Sequence, residues 1–240
     1  MAPKMNRAIA LVCLAVTLAG FGWVYERVNT ISKKMSALTE EVRLNSPVDL
    51  GNSRLDIRVF VIRSQLSQAD HPVVFIGDSI TEAALLPASI CGRGVINAGI
   101  GGVSAPYYSS LVNKLFENTS ISAAIVALGT NDAMPRNANF RSDYESLLSS
   151  LASRTKKLVL VGLPPTEDGL LGSHIDAEQA DLTNLTISQI AQERKLPFVD
   201  LRSAFQEGKA TIDGIHLSAA GYHWWTPAIV KAASAALGCG

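Results

Sequence analysis

The chain has 240 residues, 48% hydrophobic and 18% charged, with 21 Lys and Arg balanced by 21 Asp and Glu. That composition suits one globular domain with an appendage and excludes a disordered chain. Zero formal net charge leaves no basic field to recruit nucleic acid, and no His-Glu-x-x-His or paired Cys-x-x-Cys pattern supports a zinc site.

Lys4 and Arg7 precede residues 8–25, an uncharged and mostly apolar run. Its length is near the lower limit for a membrane-spanning helix, and Trp23 and Tyr25 suit a membrane interface. A cleaved signal peptide is the rival reading, although no clean Ala-x-Ala site is present. Phe21, Val24, Val28, Ile31, Met35, Leu38 and Val42 alternate three- and four-residue spacings, a heptad seam continuing out of the apolar run. The expected organisation is a membrane anchor or signal peptide over residues 1–25, a helical stalk and linker over 26–52, and a globular domain over 53–240. The linker is placed at residues 45–52, where Pro47 and Gly51 interrupt the helix. The seam suggests a homo-oligomer through the stalk; an amphipathic helix lying on a surface is the alternative. Basic residues flank the apolar run on both sides, so orientation rests on the short basic N-terminus, which resembles an export signal. The domain is therefore expected outside the cytoplasm, anchored by a single pass.

The globular part alternates helices and short apolar runs. Helical spacing covers residues 54–68, 106–118, 140–153, 177–195 and 218–237. Strands are expected at residues 73–76, 94–98, 123–128, 157–163 and 198–201. This alternation calls for an α/β fold, with a five-stranded parallel sheet and helices on both faces. Right-handed crossovers put every strand's carboxyl end on one edge. Ser79, the loop at residues 99–102 and Asn131 each follow a strand, so they should converge on one rim.

Ser79 sits where a strand gives way to a helix, a place that suits a nucleophile or, equally, an ordinary capping serine. A nucleophilic serine needs a histidine base, usually oriented by a carboxylate. Of the four histidines, His71 and His174 lack an attractive acidic partner, and His223 beside Trp224 and Trp225 reads as packing or surface. His216 lies in Asp213-Gly214-Ile215-His216-Leu217-Ser218, where one loop carries both acid and base; a capped helix start with a surface histidine is the plainer alternative. Gly102 and Asn131 offer a backbone N–H and a side-chain NH2 for an oxyanion, or simple turn chemistry. Cys91 and Cys239 either pair in an oxidising compartment or remain free thiols, and Cys13 lies in the apolar run.

Gly77-Asp78-Ser79-Ile80, Asn97-Ala98-Gly99-Ile100-Gly101-Gly102, Gly129-Thr130-Asn131-Asp132 and the Asp213 to Ser218 segment resemble, in order, the four blocks of the SGNH hydrolase (GDSL-type esterase/lipase) superfamily. No Gly-x-Ser-x-Gly elbow is present, which separates the chain from the common α/β-hydrolases. The resemblance implies a flavodoxin-like three-layer α/β/α fold from about residue 72 onward. It implies Ser79 as nucleophile, His216 as base and Asp213 as the orienting acid. It also implies oxyanion donors from Ser79 N–H, Gly102 N–H and Asn131, with no cofactor or metal. The expected activity is a serine ester hydrolase working through an acyl-serine. Its expected substrates are O-acyl (acetyl) esters of envelope glycans, or lipid esters, with residues 135–139 and 166–174 as candidate pocket walls. An O-acyltransferase using the same acyl-serine and a non-catalytic, membrane-anchored glycan-binding module are the alternatives.

Overall fold

A computed structural model describes residues 7–45, 50–134, 137–202 and 209–239; up to residue 53, side chains are described for Cys13 and residues 16–35. The chain divides into two units, Met1–Arg54 and Leu55–Gly240. In the first, helix α1 (Arg7–Asn45) runs unbroken through the segments expected as anchor and stalk. The seam residues Phe21, Val24, Val28, Ile31 and Met35 are exposed on it; the side chains of Leu38 and Val42 lie outside the described residues. Among the described residues no helix is long and apolar enough to cross a membrane, and the side chains of residues 8–12, 14 and 15 of the expected anchor are outside that set. Of the expected linker, residues 46–49 are not described, while Leu50, Gly51 and Asn52 already belong to helix α2 (Leu50–Ser67). One glycine costs a helix about 1 kcal/mol, too little to end an 18-residue one.

In the second unit, α2 buries Val59, Ile62 and Leu66. The elements that follow are β1 (Val73–Gly77), α3 (Ser79–Glu82), β2 (Ser89–Ile90), β3 (Arg93–Gly99) and α4 (Ala105–Leu115). Next come β4 (Ala123–Ala127), α5 (Thr130–Ala133), α6 (Phe140–Ala152), β5 (Leu158–Val161), a 3-10 turn (Gly172–His174), α7 (Ala177–Arg194), β6 (Phe198–Val199) and α8 (Ala219–Leu237). The sheet order is β2-β3-β1-β4-β5-β6. The five expected strands are all present and mutually parallel, and their order is that of a flavodoxin-like doubly wound sheet. Right-handed crossovers place α4, α6 and α7 along one face, where α4 packs on α6 and α6 on α7. Helix α8 packs on β4, β5 and β6.

The expectation of a five-stranded parallel sheet is corrected at one edge. The sheet is mixed and six-stranded, because β2 pairs antiparallel with β3, Ile90 opposite Arg93. The turn between them is Cys91-Gly92, with φ of 53° and 74°. Two-residue hairpin turns with both central residues left-handed match the twist of the strands they join, but they usually carry Asn-Gly or Asp-Gly. Cys91 takes that conformation while forming a disulfide with Cys239, Cα–Cα 6.0 Å, which ties the edge hairpin to the residues after α8.

β1 is the strand that positions the site. All five of its residues are buried. It lies between β3 and β4, with Gly77 level with both Gly99 and Ala127. The chain therefore leaves three neighbouring strands at the same height.

Candidate active site

Ser79 is the first residue of α3. Asp78 caps this short helix, its Oδ1 accepting from Ile80 N–H at 2.9 Å. Ser79 Oγ lies 2.8 Å from His216 Nε2, although 137 residues separate the two. His216 Nδ1 is 2.7 Å from Asp213 Oδ2, and Asp213 Oδ1 accepts from the N–H groups of Ile215 and His216 at 3.0 and 2.8 Å. With Nδ1–H donating to Asp213, Nε2 is free to accept from the serine hydroxyl. Burial opposes the charge on Asp213, but the His216 side chain and the two N–H groups outweigh it and hold the carboxyl below its usual value.

The loop carrying Asp213 and His216 is fixed by the segment expected to wall the pocket. Glu167 accepts from Ala210 N–H at 2.7 Å, Thr211 N–H at 2.9 Å and Thr211 Oγ1 at 2.5 Å. Those three bonds offset the effect of burial and hold its carboxyl low. Glu167 N–H and Leu171 N–H donate in turn to the carbonyls of Gly214 and Asp213, at 3.0 and 2.9 Å. This approach needs Gly214, whose φ is 98° and where an added Cβ would lie 2.5 Å from Glu167 O. Residues 166–174 therefore act first as a clamp; Leu170, 80% exposed, projects from it. Residues 135 and 136 of the other expected wall lie outside the described residues.

Gly102 is exposed, with φ of 79°, just past β3. Among the described residues its N–H meets no acceptor. Asn131, half-buried on α5, donates from Nδ2 to Val103 O at 3.0 Å, which fastens it to the Gly102 segment and leaves its second amide hydrogen available. Ser79, Gly102 and Asn131 thus stand at the ends of β1, β3 and β4. Of the other histidines, His71 is exposed and bonded to Asp70, His174 is exposed in the 3-10 turn, and His223 is exposed against Trp224. Among the described residues no three His, Cys, Asp or Glu side chains cluster as metal ligands.

Three supporting residues were assigned no role by the sequence, although Asp78 and Asp132 lie within the motif blocks. Asp132 is buried and accepts from Ala105 N–H at 3.0 Å, joining the start of α4 to α5. Burial is the main reason its carboxyl is pushed up. Asp78, 1% exposed, has its carboxyl raised to about 6, mainly by burial; the Ile80 N–H, Thr130 and His216 pull against that rise. Tyr222 donates to Ile80 O at 2.7 Å and pins α8 to α3.

The family model of the GDSL-like Lipase/Acylhydrolase family matches residues 75–224. No curated protein matches the chain. Among solved structures, a GDSL-like lipase from Bacteroides thetaiotaomicron is 21% identical with a TM-score of 0.61, over 75% of this chain and 98% of that one. The lipase/acylhydrolase from Enterococcus faecalis is 21% identical with a TM-score of 0.58, over 68% and 96%. An acetylxylan esterase from Geobacillus stearothermophilus is 19% identical with a TM-score of 0.56, over 69% and 94%. These likenesses extend over nearly the whole of each relative and show a shared fold.

Proposed function

The chain belongs to the GDSL-like lipase/acylhydrolase family and is a carboxylic ester hydrolase, and we propose that it works through an acyl-enzyme formed on Ser79. His216 Nε2 takes the hydroxyl proton as Ser79 Oγ attacks the ester carbonyl, and Asp213 stabilises the imidazolium. The resulting oxyanion is met by Ser79 N–H, Gly102 N–H and the second amide hydrogen of Asn131. Collapse expels the alcohol, which takes the proton from His216. Water gives a proton to His216 as it attacks the acyl-serine, and collapse releases the acid while His216 passes that proton to Ser79 Oγ. The observation carrying this reading is the continuous pair of hydrogen bonds, 2.8 Å from serine to histidine and 2.7 Å from histidine to aspartate.

The proposed substrates are O-acyl esters, with acetyl groups on envelope glycans ahead of lipid esters. Fold similarity to an acetylxylan esterase supports the acetyl group. The Cys91–Cys239 pair supports an oxidising compartment, and the apolar run at residues 8–25 supports an anchor that holds the enzyme outside the cytoplasm. Substrate choice is tested by comparing acetate release from an O-acetylated polysaccharide with fatty-acid release from phospholipid micelles. Faster acetate release is expected; fatty-acid release alone contradicts the glycan assignment. Location is tested by fractionating cells. The full chain is expected in the membrane fraction, freed by detergent and not by salt, and recovery in the soluble fraction contradicts the anchor.

A further inference from the structure

The loop at residues 99–102 carries the Gly102 N–H, and two charged side chains hold it from behind. Glu82, the last residue of α3, accepts from Gly101 N–H through Oε2 at 2.5 Å. Arg58 on α2 donates from Nε to Gly99 O and from Nη2 to Asn97 O, each at 2.8 Å. Its Nε also lies 3.9 Å from Glu82 Oε1, and the two side chains are only 18% and 25% exposed. Asn97 completes the support by accepting from Gly99 N–H at 3.0 Å. Arg58 precedes the family match, which begins at residue 75, so α2 adds a part to the site that none of the four motif blocks contains.

This arrangement sets up an electrostatic conflict. Glu82 fixes the peptide next to the Gly102 donor, yet its negative charge opposes the charge that develops on a substrate oxygen held by that donor. In a partly dehydrated site such opposition is far stronger than in water. Arg58 grips the same loop through two carbonyls and supplies the compensating positive charge. We propose that Arg58 and Glu82 are positioning residues that together aim the Gly102 N–H and keep the oxyanion side of the site electrically neutral. The inference rests on the acyl-enzyme reading of Ser79.

The two residues are then unequal. Arg58→Met loosens the loop and removes Arg58's positive charge from beside the Glu82 carboxylate. Glu82→Gln keeps an oxygen acceptor for Gly101 and removes the charge. The test measures kcat and KM of the full chain on p-nitrophenyl acetate, with hydrogen exchange of the peptide spanning residues 97–103 as a readout independent of activity. Arg58→Met should lower kcat about 100-fold, the scale of one oxyanion donor, with KM little changed and exchange faster. The double variant Arg58→Met/Glu82→Gln, which no longer sets the Glu82 negative charge against the oxyanion, should regain about tenfold over Arg58→Met. Should Arg58→Met fail to fold, Arg58→Lys keeps the charge without the two-point grip and should still speed exchange and lower kcat about tenfold. An Arg58 variant with parental kcat and exchange, or a double variant no faster than Arg58→Met, overturns the proposal. Absence of serine-probe labelling in the parent would instead sink the acyl-enzyme reading, while exchange would still report on the clamp.

Discussion

A serine hydroxyl attacks an ester only where a base is aimed at it and donors await the oxyanion, so single side chains decide this chemistry. Asn131→Ala should lower kcat by about two to three orders of magnitude on p-nitrophenyl acetate with KM little changed; full activity would remove Asn131 from the oxyanion site. Asp78 makes a stability prediction. Its carboxyl has a value of about 6 in the fold against an ordinary 3.8. The folded chain therefore binds this proton more tightly than the unfolded chain. The stabilisation is full below the ordinary value and lost as pH rises through about 6, a loss of about 3 kcal/mol. Asp213, held low, works the other way: its stabilisation is present above its ordinary value of 3.8 and lost as pH falls through its lower folded value. Asp78→Asn should thus flatten urea-unfolding stability between pH 4 and 7 and leave acid destabilisation in place; an unchanged slope contradicts the assignment. Ser79, Gly102, Asn131, Asp213 and His216 were legible because each lies in a short block at the end of an element. Arg58, Glu82 and Glu167 were not. Arg58 reaches across 41 residues to Gly99 and Glu167 across 43 to Ala210, and in sequence each reads as an ordinary solvated charge.

At the scale of elements, apolar runs revealed β1, β4 and β5 because buried parallel strands need no polar alternation. β2 escaped notice, since two residues carry no pattern and its turn uses Cys-Gly. The segment at residues 166–174 reads as a wall because loops after strands commonly line pockets; it also holds the His216 loop, through the Glu167 side chain on residues 210 and 211 and through backbone N–H groups on the carbonyls of Asp213 and Gly214. Gly214→Ala tests that clamp. A side chain at φ 98° that also meets Glu167 O should cost about 1–3 kcal/mol in denaturant unfolding and lower kcat more than it raises KM. Parental stability and turnover would show that the two loops do not depend on this close approach.

For the whole molecule, the strand order brings Ser79, Gly102 and Asn131 to one rim, while the crossovers carry His216 back to it from the far end of the chain. The disulfide closes the same circuit by tying the β2–β3 turn to the end of α8. Cys91→Ser should lower stability by about 2–4 kcal/mol in oxidising buffer, as should reduction of the parent, with kcat unchanged. A variant as stable as the parent would show that the covalent tie adds nothing to the edge hairpin. The alternation of strands and helices disclosed this architecture; the pairing of Cys91 with Cys239 could not be read from their positions, because it depends on how the sheet edge meets α8.

The most direct test is covalent labelling of the intact chain by a fluorophosphonate serine probe, with p-nitrophenyl acetate turnover measured alongside, for the parent and Ser79→Ala. Labelling and turnover in the parent, both lost in Ser79→Ala, are the predicted results. A folded parent that neither labels nor turns over, or a Ser79→Ala variant that labels as well as the parent, would contradict an activated Ser79.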